Sequence, residues 1–433
     1  MSTLAERIAR RQAEVVVVGA GYVGLPLAVE IARAGFPTTA LERDPEKVRA
    51  IVAGRSYVRD VSPADLAPLV ERGRLRATGE AATLARADVV VVCVPTPLNK
   101  TRDPDTSFIV AAADQIAAHL RPPQLVVLES TTFPGFTREI LVPRLAAGGR
   151  RLDTDFFVAF SPERTDPGNT RFAIRNTPKV IGGSSAPSLA LASALYATFV
   201  DRVVPVGSTD AAEMVKLLEN TFRAVNIGLV NEVAMMCQRL GLDTWEIIEA
   251  AATKPFGFMP FYPGPGLGGH CIPVDPRYLS WKLKTLRYRT RFIELADEVN
   301  SEMPAFVVMR VADALNDRRQ AVNGSRILVA GVAYKRDVDD VRESPAFEII
   351  TLLRARGATV DFTDPHVSVI DLDGTSLASV SADRAGDYDC VVIVTDHGAL
   401  DYAALVDAAR LVVDCRNVTG ALRARHPGRI VPL

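Results

Sequence analysis

The sequence predicts an α/β protein in which two doubly wound parallel sheets flank a helical centre that carries one long helix. Three observations carry that prediction. A short apolar run, EVVVV, turns at Gly19-x-Gly21-x-x-Gly24 into an amphipathic helix and then a second strand, TTALE, that ends on an acid. From Ser325 the alternation restarts as SRILVAG, SPAFEIITLLRARGATVDFTD, YDCVVIVTDH and ARLVVDCRN. Between the two, Thr209 to Leu240 holds no proline and one glycine, Gly228, which predicts a single helix of about 30 residues.

A chain of 433 residues exceeds what one hydrophobic core serves. The three stretches divide it into 1–205, 206–305 and 306–433. Hydrophobic residues at 48% and charged residues at 23% are ordinary for a globular protein, and 50 basic against 51 acidic side chains leave no global field for nucleic acid. Five scattered cysteines, without CxxC or a nearby His pair, argue against disulfides and a structural metal. The opening MSTLAERIARRQAE lacks a secretion signal's apolar core, and the longest apolar run, Val89 to Val94, is too short to cross a bilayer. The expectation is a cytoplasmic protein with neither membrane nor nucleic-acid partners.

In chain order, a polar opening turn precedes the first strand. The glycine turn has the context that gives GxGxxG its meaning, a complete βαβ unit of Rossmann type. Gly19 makes the tight turn, Gly21 lets a pyrophosphate approach the backbone, and Gly24 lets helix and strand pack; Tyr22 and Val23 lie between them. Glu42 can accept hydrogen bonds from the adenosine ribose. Arg43 beside it could meet a 2′-phosphate, but the Glu42 carboxylate would repel that group, so NAD is expected rather than NADP. Two further strands end at Thr96-Pro97 and Ser130-Thr131-Thr132, where hydroxyls can contact the nicotinamide ribose or a substrate. FFVAFSPER places Glu163 after another strand, and KVIGG closes this half.

On the long helix, Met214, Leu218, Val225, Leu229 and Met236 form an apolar stripe, while Lys216 and Asn220 lie one turn apart on the opposite face. Glu213 and Arg223 share that polar face and are expected in solvent. A helix of this length also suggests a domain connector or a dimer seam. LDTWEIIEAAATKPFGFMPF runs from a helix into a loop, and WKLKTLRYRTRFIELADEVN is expected as one helix with a basic, solvated surface. The polar insert KRDVDDVRESP offers Lys335 and Arg342 from the second sheet.

The loop PGPGLGGHCIPVD stands out chemically. Four glycines and two prolines between Pro263 and Gly269 exclude helix and central strand, leaving a shaped backbone that presents Cys271, the candidate nucleophile. The other four cysteines fall on strands or in the long helix and are expected as buried small hydrophobes. These residues leave open a two-electron dehydrogenase with no use for Cys271, and a catalytically silent nucleotide-binding protein.

Taken together, GAGYVGLPLA, CVPTPLN, ESTTFPG, SPER-x-DPGN, AAEMVKLLENTFRAVNIGLVNE, PGPGLGGHCIPVDPRYLSWK and YKRDVDDVRESP resemble, end to end, the nucleotide-sugar 6-dehydrogenase family. The resemblance implies oxidation of a UDP-sugar 6-hydroxyl to a carboxylate with two NAD. GGHCIPVDP, with His270 shaping the loop, and ATKPFGF are similar to the UDP-N-acetylglucosamine branch; UDP-glucose or TDP-glucose is the alternative. By the same resemblance Cys271 holds the aldehyde as a thiohemiacetal and then a thioester. Lys216 and Asn220 stabilise the oxyanion and a water, Asp275 assists proton transfer, Glu163 activates water, and Thr132 lies near that water. Tyr262, Gly268, Lys335 and Arg416 join Glu163, Lys216 and Asn220 as substrate contacts, and Arg342 resembles a cofactor contact. Where the family often carries a second carboxylate, this chain has Pro167, which leaves Glu163 alone or shifts its duty to Asp275. A homodimer or higher homo-oligomer is expected.

Overall fold

A computed structural model describes residues 2–433 apart from Lys100, Arg102, Pro167, Gly168, Thr170, His270 and Asp373. The expectations for Pro167 and His270 therefore lie outside the described residues. The chain forms two compact units, residues 1–219 with 277–288, and residues 220–276 with 289–433. The segment 206–305 is shared between them.

In the first unit, strands β1 (Val15–Val18), β2 (Thr38–Leu41), β3 (Leu75–Thr78), β4 (Val89–Val92), β5 (Gln124–Leu128), β6 (Phe156–Phe160), β7 (Lys179–Gly183) and β8 (Val203–Val206) make one sheet of order 3-2-1-4-5-6-7-8. Every neighbouring pair is parallel except β6 with β7. The central strands read VVVV, VVVV and QLVVL and are buried throughout, as expected when helices cover both faces of a sheet. Two strands escape the sequence pattern, and both are edges. LRAT in β3 has one buried residue, and VVPV in β8 carries a proline that only an edge tolerates. The opening residues are a short helix, Leu4–Ala9, rather than a turn: Thr3 and Glu6 form a capping box, and Leu4 and Ile8 are buried.

The second unit repeats the plan with β9 (Arg326–Ala330), β10 (Thr359–Thr363), β13 (Cys390–Ile393), β14 (Val412–Asp414) and β15 (Ile430–Pro432) in the parallel order 10-9-13-14-15. A small antiparallel hairpin, β11 (Val369–Leu372) with β12 (Thr375–Ala378), stands outside this sheet.

The proline-free stretch is one helix, Thr209–Leu240. It buries Leu217, Ala224, Val230 and Ala234 together with polar residues, while most of the predicted apolar stripe is exposed. Met214, Leu218, Leu229 and Met236 are exposed, as is Phe222, whereas Glu213, Lys216, Asn220 and Asn231 are buried. The expected single helix after the cysteine loop is two, Asp275–Thr285 and Arg291–Asn316. Between them Arg287 takes a left-handed φ of 57°, which no continuous right-handed helix accommodates. Among the described residues no helix is long and apolar enough to cross a membrane.

Candidate active site

The turn after β1 is shaped by what its glycines lack. At Gly19, with φ 90°, a Cβ would lie 2.5 Å from the Cys93 carbonyl oxygen, and at Gly24 it would lie 1.9 Å from the Gly19 oxygen. At Gly21 a Cβ would meet nothing within 4 Å, which is the room a pyrophosphate needs. The buried Glu42 follows β2 and accepts from the Ala20 amide at 2.9 Å and the Asp44 amide at 3.1 Å, leaving carboxylate lone pairs for ribose hydroxyls. Arg43 is exposed and stacks on Phe108 at 5.1 Å. Tyr22 is exposed at the turn. Beyond β4, Thr96 is buried, and the Tyr278 hydroxyl donates to its carbonyl at 3.0 Å and to that of Pro97 at 3.3 Å. Tyr278 was invisible as a site residue because it lies far away in sequence.

The polar face of the long helix grips the loops that follow the strands. Within the first unit, the Lys216 ammonium donates to the Glu163 carbonyl at 2.7 Å and to its carboxylate at 3.1 Å, and all three groups are buried. Burial works to raise the Glu163 pKa, but Lys216 and hydrogen bonds from Thr165 outweigh it and hold the carboxyl below its ordinary value. One turn earlier Glu213, expected in solvent, is fully buried. It accepts from Thr132 Oγ1 at 3.3 Å, the Gly135 amide at 2.7 Å, and the Thr137 amide and hydroxyl at 2.8 and 2.6 Å. Burial nonetheless pushes its pKa up to about 7, against the pull of those donors. Arg223 is exposed, as expected.

Within the second unit, the Asn220 amide donates to Asp275 at 2.6 Å, with both residues buried. Asp275 opens its helix one turn after Cys271, whose carbonyl accepts the Asp275 amide at 2.8 Å. Cys271 is partly exposed; Cys93, Cys237, Cys390 and Cys415 are buried. Burial pushes the Cys93, Cys390 and Cys415 thiols up, away from reactivity. The glycines before Cys271 are in close contact with protein. A Cβ at Gly268 or Gly269 would lie 2.7 or 2.6 Å from Tyr334, and one at Gly264 would lie 2.8 Å from the Arg416 guanidinium. Arg416 is also held by Asp396 at 3.2 Å. Asn231 completes the grip: its carbonyl accepts the Gly264 amide at 2.9 Å and its amide donates to Asn300 at 2.8 Å. Tyr262 stacks on Trp245 with centroids 5.6 Å apart. Arg342 forms a two-toothed pair with Asp340, 2.6 Å at the closest, and Lys335 lies in the same polar insert. Glu213 and Asn231 join Tyr278 among the residues that sequence reasoning missed; for these two, their spacing from Lys216 and Asn220 along one helical face was the available signal.

A doubly wound sheet with this turn and acid defines a dinucleotide-binding protein. Comparison with known proteins sharpens the class. Three family models match in order: the NAD binding domain of the UDP-glucose/GDP-mannose dehydrogenase family over residues 13–200, its central domain over 210–302 and its UDP binding domain over 328–421. The chain is 36% identical over 387 residues to UDP-N-acetyl-D-glucosamine 6-dehydrogenase of Pseudomonas aeruginosa, covering 89% of this chain and 90% of that protein. It is likewise 36% identical to NDP-N-acetyl-D-galactosaminuronic acid dehydrogenase of Ralstonia nicotianae, over 94% of this chain and 96% of that one. Among solved structures, the UDP-D-ManNAc dehydrogenase of Pyrococcus horikoshii superposes with a TM-score of 0.85 at 32% identity, covering 93% of this chain and 95% of that one. The chain belongs to the UDP-glucose/GDP-mannose dehydrogenase family: it is an NAD-dependent nucleotide-sugar dehydrogenase, an oxidoreductase.

Proposed function

We propose that this chain oxidises the 6-hydroxyl of UDP-N-acetylglucosamine to the uronic acid in two steps, with Cys271 carrying the intermediates. One observation supports the reading above the rest. Cys271, on its glycine loop, is the cysteine left partly exposed, one turn before a buried aspartate that Asn220 holds at 2.6 Å. NAD, held by the turn Gly19–Gly24 and Glu42, supplies the hydride acceptor, one NAD for each step.

The protein's own groups do the rest. Lys216 stabilises the alkoxide that forms when the 6-hydroxyl passes its proton to water, and loss of the first hydride to NAD turns that alkoxide into the aldehyde. The Cys271 thiolate adds to the aldehyde carbon and gives a thiohemiacetal, which keeps the aldehyde from diffusing away. Loss of the second hydride leaves a thioester. Water attacks its carbonyl, the C–S bond breaks, and the thiolate returns. Glu163, kept ionised beside Lys216, is suited to take the water's proton; Asp275, held by Asn220, is suited to the proton that moves at the sulfur. Residues 1–205 serve NAD, 206–305 the chemistry and 306–433 the UDP-sugar, with Lys335 and Arg416 as cations for it. The relatives compared above carry N-acetylated sugars in their names, which supports an N-acetylated substrate. The exposed stripe Met214, Leu218, Phe222, Leu229 and Met236 supports a homodimer seam on the long helix. A reduced thiol nucleophile supports the cytoplasm as its location.

The test counts NADH against UDP-N-acetylglucosamine, UDP-N-acetylgalactosamine, UDP-glucose and TDP-glucose. Two NADH per sugar acid with the first substrate is expected. One NADH per sugar overturns the thioester route, and preference for a non-acetylated sugar overturns the substrate.

A further inference from the structure

We infer that Glu213 is a positioning residue, fixing the hydroxyl of Thr132 and the turn behind it for the hydrolytic half of the reaction. The inference rests on the thioester route proposed above. The sequence analysis expects Glu213 in solvent, yet it is 0% exposed and four donors from one short segment converge on it. A buried carboxyl without donors is costly, so helix and turn hold each other in register. Gly135 takes φ 95°, and Thr137 opens the helical stretch that runs to Leu145.

The chemistry follows from what a carboxylate cannot do. When ionised it only accepts, so the Thr132 hydroxyl proton is directed toward Glu213. The lone pairs of Thr132 Oγ1 then remain as acceptors, able to orient one proton of a water. Lys216 lies one turn further along the same helix face and donates at 3.1 Å to Glu163, in the loop after β6. Glu213 thus sets the polarity of Thr132 without touching substrate, and the step it serves is attack of water on the thioester.

The test is a double-mutant cycle with a transient readout. Glu213→Gln keeps the size but turns an NH2 toward backbone donors, and Thr132→Val keeps the shape but removes the hydroxyl. Each is expected to lower turnover roughly 10- to 100-fold, the range of one lost charged hydrogen bond, with KM for both substrates changed by less than about threefold. A rapid burst of two NADH per chain should precede the slow phase, and mass spectrometry should find the sugar acyl group on Cys271. The double variant should be no slower than the slower single, within about threefold, because both changes remove one interaction. Losses that multiply, unchanged turnover, or slow turnover without a burst overturn the role of Glu213. Should Glu213→Gln not fold, Glu213→Asp, which keeps the charge but withdraws it from Thr132, takes its place in the cycle. If the wild-type protein itself yields one NADH per sugar, the thioester route fails and the inference with it; wild-type double turnover with an additive cycle removes Glu213 alone.

Discussion

Two buried carboxylates, Glu213 on the long helix and Glu163 in the loop that the next turn of that helix holds through Lys216, answer to pH in opposite directions. Glu163 has its pKa lowered in the fold, so its contribution to stability is present above the ordinary value of 4.5 and is lost as pH falls through the folded value. Glu213 is raised to about 7, so between about pH 4.5 and 7 the folded state holds a proton that the unfolded chain has released. Stability therefore falls across that window as pH rises, by roughly 3 kcal/mol if the whole shift is expressed. Relative to Glu213→Gln, which has nothing to titrate, the wild-type urea midpoint is expected to drop between about pH 5 and about pH 7.5; parallel midpoints would show that Glu213 stays ionised throughout. Cys271→Ser is the other residue-scale test. A serine hydroxyl cannot supply the thiolate, so the second oxidation should stall and no sugar acid should be released, while binding of NADH, followed by its fluorescence, is retained. Cys271 was legible in sequence because glycine and proline announce a special loop. Glu213 was not, since a carboxylate three residues before a lysine reads as a solvated helical pair until packing shows which side the protein covers.

At the scale of elements, the long helix is the support that the loops share. Glu213, Lys216, Asn220 and Asn231 recur on one face and hold in turn the segment after β5, the loop after β6, the helix behind Cys271 and the start of the glycine loop. Its length was readable from the absence of proline. Its orientation was not, because hydrophobic periodicity marks which residues share a face and leaves open whether that face meets a core or a partner. The side left exposed is apolar at Leu218 (57%) and Leu229 (55%). If this face is the proposed homodimer seam, Leu218→Glu with Leu229→Glu is expected to halve the mass seen by analytical ultracentrifugation while leaving helix content unchanged; an unaltered mass would overturn a seam on this face. Asn231→Leu, which deprives the Gly264 amide of its acceptor, should loosen the cysteine loop and accelerate alkylation of Cys271 by iodoacetamide, read by mass spectrometry; an unchanged rate would mean that the loop holds without it.

At the scale of the whole chain, two sheets of one plan have diverged at the same point. Both open with a strand and a glycine of positive φ, Gly19 at 90° and Gly331 at 85°, and at each a Cβ would stand 2.5 Å from a carbonyl of the neighbouring strand's end, Cys93 or Thr395. Both place an acid after the second strand, Glu42 or Asp364. There the likeness stops. Glu42 takes one amide of its turn, Ala20, and the next position, Gly21, faces open space. Asp364 takes two, Val332 at 2.8 Å and Ala333 at 3.1 Å, and its remaining capacity goes to His397, His366 and Val367. The amides that would face a pyrophosphate are thus engaged by the protein's own carboxylate, and Val332 and Ala333 are fully buried. Burial works to raise the Asp364 pKa, but the His397 ring and backbone amides outweigh it and hold the group below its ordinary value, so the carboxylate stays in place at neutral pH. Each chain should therefore bind one NAD, and the two NAD of the proposed turnover would follow one another through the first sheet. Isothermal titration should give one site per chain, abolished by Gly21→Leu, which fills the open space at the first turn. Two sites per chain, or residual NAD binding in that variant, would show that the second turn releases its carboxylate.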